Sequence, residues 1–285
     1  MSGLKKSPQV RISHKKILVK QAEPMKVVEG IKASSEDGAI MQVFRMGEPY
    51  TFFKDSLVLP RMKPDESIQL FPKSLWFLEY ATYAPVWTHL AWWLPVTVNL
   101  LWRLPQWTLA TWCIAFFGFG TVWPLMEYLL HRFVFHSEFL GLGKNNYVNV
   151  LRFLIHGIHH AHPTDRLRVV TPILMSVLIA IPVVFAVKLL IPDPNHWKPL
   201  MCGIVWGHIY YDYVHYLLHF YVPGKLPWWV PSFYHGKFRR LHLAHANHHY
   251  SGDGWKNTYG VSEDQWDTFF GTAKQGVASE DWKNE

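Results

Sequence analysis

Cysteine is nearly absent. The 285 residues hold two, Cys113 and Cys202, both inside apolar stretches. That scarcity excludes a disulfide framework and a zinc site built from metal-spaced cysteines. A dense block of one charge is also missing: the net charge of +7 is spread along the chain, apart from the opening MSGLKKSPQVRISHKK. This is not the concentrated basic footprint of a nucleic-acid binder. No apolar core follows the basic opening, so no cleaved signal peptide is expected. No internal repeat is present, which excludes a solenoid.

Aromatic residues are abundant, with 15 Trp and 18 Phe, and both types favour a lipid interface. The mean hydropathy of zero conceals segregation into apolar and polar blocks. Four apolar runs, at about 85–102, 107–130, 170–192 and 199–221, approach the length of about 20 residues a helix needs to cross the hydrocarbon. The first is short and contains Pro95. Very short turns separate the first from the second and the third from the fourth, which predicts two helical hairpins. The connections 103–106 and 193–198 carry only Arg103 and Lys198, whereas 131–169 carries Arg132, Lys144, Arg152, Arg166 and Arg168. The positive-inside rule therefore puts 131–169 and both tails in the cytosol.

The expected architecture is an all-α integral membrane protein: four transmembrane helices in two hairpins, with a histidine-rich cytosolic helical cap. Residues 1–80 form an N-terminal cytosolic segment of unassigned fold, with a turn at SSEDGA (34–39) and short strands expected around MQVFRM and YTFF. Residues 81–271 form the membrane unit, and 272–285 read as a disordered tail.

Seventeen histidines are present, and all but His14 and His89 fall between 131 and 249. His156, His159 and His160 stand at i, i+3 and i+4, on one face of a helix. His245, His248 and His249 repeat that spacing, and His215 and His219 form an i, i+4 pair. His131 and His136 lie five apart, about 140° around an ideal α-helix, so they are expected to point differently or to straddle a helix end. His14, His89 and His196 stand alone and read as ordinary hydrogen-bonded residues; His162, His208, His235 and His242 fit either description. Topology brings the clustered ten to one membrane face. Packed imidazoles repel once protonated, and metal cations hold them neutral. Ten ligands suit two ions. About five nitrogens per ion favours iron over zinc, although spacing alone allows either.

These residues resemble the membrane fatty acid hydroxylase and sterol desaturase superfamily, and within it the fatty acid 2-hydroxylases. The resemblance rests on EYLLHRFVFH (127–136), LIHGIHHAHPTDRLRVVTP (154–172), YYDYVHYLLH (210–219), HANHHY (245–250) and YGVSEDQWDTFFGT (259–272). It implies a dinuclear centre, with iron the expected active metal. Carried over by position, its ligands are His131, His136, His156, His159, His160, His215, His219, His245, His248 and His249, with His242 as the alternative to His245. The implied reaction inserts one oxygen atom of O2 at C2 of a long-chain acyl group for sphingolipids, and the other leaves as water. Residues 1–85 contain one histidine and no His-Pro-Gly-Gly sequence, so no haem domain is expected there. Electrons are expected from a separate cytochrome b5 and its reductase, at the endoplasmic reticulum membrane. Asp212 is read as holding the second nitrogen of a ligand histidine, and Tyr211 as lying near the substrate. Asp165 and Arg168 read as an ordinary ion pair. Rival readings are a sterol or carotenoid oxidase or desaturase of the same superfamily, and a zinc-binding membrane transport protein.

Overall fold

The structure is a computed structural model of the full chain that describes residues 37–46, 67–102, 104, 108–136, 145–250 and 254–273. It is all-helical among those residues. Helix α1 is Gly38–Met46 and α2 is Trp76–Ala81. Helix α3 is Trp87–Trp102, with Pro95 inside it. Helix α4 runs Leu109–Phe135 and includes two π turns, Gly118–Val122 and His131–Phe135. Helix α5 spans 146–161: Asn146–Arg152, a π turn Phe153–Gly157, then Ile158–Ala161. Helices α6 (Ile173–Leu190), α7 (Pro194–Phe220), α8 (His235–Tyr250) and α9 (Gln265–Phe269) complete the chain.

Two of these, α4 and α6, are long and apolar enough to cross a membrane. Their large apolar side chains point outward: Leu109, Phe116, Leu174, Leu178, Phe185 and Leu190 are all more than half exposed. Such a surface suits hydrocarbon rather than water. The other two expected spans differ from that pattern. Helix α3 has only 16 residues, and α7 is long but buries much of its length, including Asp212 and His215.

Helix α7 is the central post. Gly203 packs so tightly on α4 that an added Cβ would sit 2.0 Å from the Ala115 carbonyl oxygen, and Gly118 meets the Leu200 carbonyl in the same way. Small residues let two helix backbones approach where no larger side chain fits. One turn on, Gly207 leaves room for the Trp123 ring.

The expected strand at MQVFRM is a helix. Ala39, Ile40 and Val43 share one helical face and pack with Ile68, Leu70, Phe153, Ile158 and Ala161, so burial against α5 selects the helical period. Gly38, at φ +70°, lies in the expected turn at 34–39, of which residues 34–36 lie outside the described residues. The YTFF segment and residues 274–285 lie outside the described residues.

A buried polar bracket fixes the N-terminal segment to the loop after α5. Asp165 accepts from Ser67 Oγ (2.6 Å), Ile68 N (2.9 Å) and Leu167 N (3.0 Å). Glu79 accepts from Leu70 N and Phe71 N and pairs with Arg168. Arg168 also donates to the Ile68 carbonyl at 3.0 Å and to Thr82 Oγ1 at 2.5 Å. Asp165 and Arg168 are therefore more than a local pair; they join segments about a hundred residues apart. Removing one partner of a buried ionic network strands the other charge. Arg168→Met is expected to cost about 3–5 kcal/mol, read as a large fall in the melting temperature of the purified protein; an unchanged melt would show that the bracket carries little stability.

Candidate metal centre

The histidines converge as two groups of five. His131, His136, His156, His160 and His248 form one; His159, His215, His219, His245 and His249 form the other. All are buried except His219, which is half-buried. In the first group the Nε2 atoms approach at 3.0 Å (His131 to His156), 3.1 Å (His131 to His136), 3.0 Å (His136 to His248) and 3.0 Å (His156 to His160). In the second they approach at 3.1 Å (His159 to His249), 3.0 Å (His159 to His215), 3.2 Å (His215 to His219) and 2.8 Å (His219 to His245).

These spacings fit metal ligation. Metal–nitrogen bonds of about 2.1 Å at right angles place two nitrogens about 3.0 Å apart. Hydrogen bonding alone cannot account for a ring nitrogen with two nitrogen neighbours at this distance, because a neutral imidazole nitrogen either donates or accepts. The two groups touch, with the His160 ring stacked on His249 at 4.2 Å.

Local structure explains the sorting. The π turn His131–Phe135 joins His136 N to the His131 carbonyl at 3.0 Å, and this wider turn brings residues five apart onto one face. The 140° divergence expected from an α-helix is thus removed. On α5, His156 and His160 serve the first group and His159, one step around, serves the second. On α8, His245 and His249 serve the second group and His248 the first. His242 lies in neither group.

Second contacts set the tautomers. His131 Nδ1 donates to the Tyr259 carbonyl (2.6 Å) and His248 Nδ1 donates to the Asn257 carbonyl (2.8 Å), which leaves each Nε2 lone pair facing its group. Asp267 shapes that loop by accepting from Tyr259 N (2.8 Å), Gly260 N (2.6 Å) and Thr272 Oγ1 (2.7 Å). Glu127 accepts from Val261 N (2.5 Å), Ser262 N (2.8 Å) and Ser262 Oγ. Sequence reasoning assigned no task to Glu127 or Asp267; the acid-rich run 259–272 held the signal without showing its partners.

Burial pushes His156, His159, His160 and His249 well below the ordinary histidine range, with neighbouring imidazoles adding to the effect. Burial likewise takes His248 down to about 4, against the opposing pull of its backbone acceptors. Neutral imidazoles are the form that binds metal.

Asp212 does not hold a clustered histidine. Its Oδ1 faces Thr171, and its Oδ2 faces His89 (3.1 Å) and His208 (3.6 Å). His208 stands four residues earlier on α7, directly beneath it, so the helix itself directs the carboxylate away from His215. His89, read from sequence as an ordinary lone residue, is fully buried in this third group. Tyr211 lies against His215, with ring centroids 5.6 Å apart.

A cavity of about 390 Å³ reaches His156, His159 and His215 from membrane-facing Leu174 and Leu178, and Tyr211 also lines it. The fatty acid hydroxylase profile matches residues 116–272, from within α4 to the end of this loop. The chain belongs to the fatty acid hydroxylase family. It is 31% identical over 237 residues to a dihydroceramide fatty acyl 2-hydroxylase of Arabidopsis thaliana, covering 82% of this chain and 90% of that one. It is 32% identical over 235 residues to a ceramide very long chain fatty acid hydroxylase of Saccharomyces cerevisiae, covering 82% of this chain and 56% of that one. The solved hydroxylase domain of full-length scs7p superposes with a TM-score of 0.70 at 30% identity over 85% of both chains.

Asp267→Ala should loosen the Tyr259 and Asn257 carbonyls that orient two ring nitrogens. A 10–100-fold loss of metal affinity is expected, measured by chelator competition; unchanged affinity would mean that the loop does not orient the histidines.

Proposed function

We propose that this chain is a membrane monooxygenase that hydroxylates C2 of long-chain acyl groups, supplying 2-hydroxy chains for sphingolipids. In this reading two metal ions, iron in the active form, are held by the two groups of five histidines. Bound there, they would supply O2 activation and removal of hydrogen from carbon. Electrons come from a separate cytochrome b5 and its reductase. The protein crosses the endoplasmic reticulum membrane four times, in two hairpins, with the site and both termini in the cytosol. Residues 81–271 are the catalytic unit, 1–80 an N-terminal cytosolic segment whose described part braces it, and 272–285 a tail.

The observation that carries this reading is the apolar cavity joining the lipid-facing side of α6 to histidines of both groups. Its volume falls within the range of small-molecule sites, about 300–1,000 Å³. Leu154, Ile158, Leu174, Leu178 and Ile179 give it a wall suited to an acyl chain, and its polar lining includes His156, His159, His215, Thr82, Arg168, Thr171 and Tyr211. In this reading the chain end that carries oxygen meets the histidines. Carbons next to the carbonyl then lie nearest the ring nitrogens, while the methyl end extends into the apolar part. Burial keeps water from the reacting carbon. Tyr211 lines the cavity beside His215, which supports a substrate-contacting role. The relatives' names, which specify fatty acyl and ceramide hydroxylation, agree with this substrate class.

The test is turnover of a long-chain acyl substrate by the iron-loaded protein with reduced cytochrome b5 under labelled O2. The expected product is a 2-hydroxy acyl chain carrying one labelled oxygen, lost entirely in His249→Ala. Labelling at a mid-chain carbon, or oxidation of a sterol instead, would overturn the reading. Leu178→Trp, which fills the apolar part of the cavity, should shift preference to shorter chains.

A further inference from the structure

We propose that His89, His208 and Asp212 form a third metal site, separate from the ten clustered histidines, which takes one divalent transition-metal cation. The three sit between α3 and α7. Their ligand atoms all lie within 4.8 Å of one another.

His89 and Asp212 are each 0% exposed, and the side chain of His208 is 12% exposed. A carboxylate and two imidazoles in apolar surroundings are costly without partners, yet partners are few here. Asp212 Oδ1 is held by Thr171, through its backbone N–H at 3.3 Å and its hydroxyl at 3.5 Å. Asp212 Oδ2 and both ring nitrogens of His89 and of His208 make no well-formed hydrogen bond. What they do have is convergence. The Nε2 atoms of His89 and His208 stand 3.1 and 3.6 Å from that one free oxygen. Ligands about 2.1 Å from one ion lie about 3.0 Å apart in an octahedron and about 3.4 Å apart in a tetrahedron. The observed separations, 3.1 and 3.6 Å, lie 0.1 and 0.2 Å above those two values. A single imidazole–carboxylate pair would explain one short contact, but it leaves the second imidazole aimed at the same oxygen unexplained.

The surroundings hold the donors in place. The His208 ring is enclosed by His89 at 5.0 Å, Trp123 at 4.9 Å and Trp93 at 6.2 Å between centroids. A cavity of about 60 Å³ adjoins it, lined in part by Glu127, Thr171 and Tyr211. That volume has room for a water to complete a coordination shell. Two histidines and one carboxylate with an open position are a donor set for a borderline cation such as zinc or iron(II). The bound cation ties α3 to α7 three residues before His215.

The test uses the full chain in lipid nanodiscs, loaded with excess zinc and freed of unbound metal by gel filtration. Metal per chain is counted by mass spectrometry for the wild type, His89→Phe and His208→Phe. These changes remove a nitrogen donor while keeping an aromatic ring in place. The wild type is expected to carry one zinc more than either variant, whatever number the ten clustered histidines hold. Equal counts would overturn the site. Should the variants not fold, anomalous scattering from the wild type at the zinc edge decides: a peak between the three donor atoms is expected. Its absence, leaving an ordinary buried ion pair, refutes the proposal.

Discussion

Ten imidazoles packed with their Nε2 atoms about 3 Å from a neighbour cannot hold together by themselves. Protonated, they repel inside a low-dielectric interior; neutral, a ring nitrogen with two ring nitrogens about 3 Å away cannot hydrogen-bond to both. Bound metal would resolve both problems at once, and the nitrogen spacings fit metal ligation. The rest of the structure is organised to bring those rings together. The ends of α4 and α7, and the whole of α5 and α8, arrive at the same end of the bundle, each contributing to one or both groups.

Long-range polar ties then hold these elements in register. Asp165, Arg168 and Glu79 fasten the segment before α2 to the loop after α5. Glu127, inside α4, fastens the loop before α9. Asp267 shapes that same loop so that its carbonyls receive the Nδ1 protons of His131 and His248. The cavity beside α6 reaches histidines of both groups, and α4 and α7 cross tightly through Gly118 and Gly203. Packing, second contacts and access to the site are thus consequences of one arrangement.

Much of this was legible in the sequence, because spacing on a helix is a local property. The i, i+3, i+4 sets at His156–His160 and His245–His249 and the pair His215, His219 are all placed in the groups of five. His245 falls in one of those groups and His242 in neither. What escaped depends on contacts that sequence order does not encode. The π turn after Leu130 changes the angle between His131 and His136. Burial against α5 turns the MQVFRM segment helical although its β-branched and aromatic residues favour a strand. The neighbour of Asp212 is not legible in the sequence, because His89, more than a hundred residues away, meets it only when α3 packs on α7. The 16-residue α3 and the polar, buried α7 also show why apolar run length alone overstates how closely four helices resemble one another.

The central claim is that bound cations, not packing alone, keep the ten imidazoles together. The direct measurement is the thermal unfolding of the full chain before and after metal is stripped by a chelator, followed by adding back iron(II) or zinc. An ion at 100 times its dissociation constant contributes about 2.7 kcal/mol per site. The stripped chain should therefore melt at a clearly lower temperature and recover when metal returns. A stripped chain that melts where the loaded one does would contradict the account.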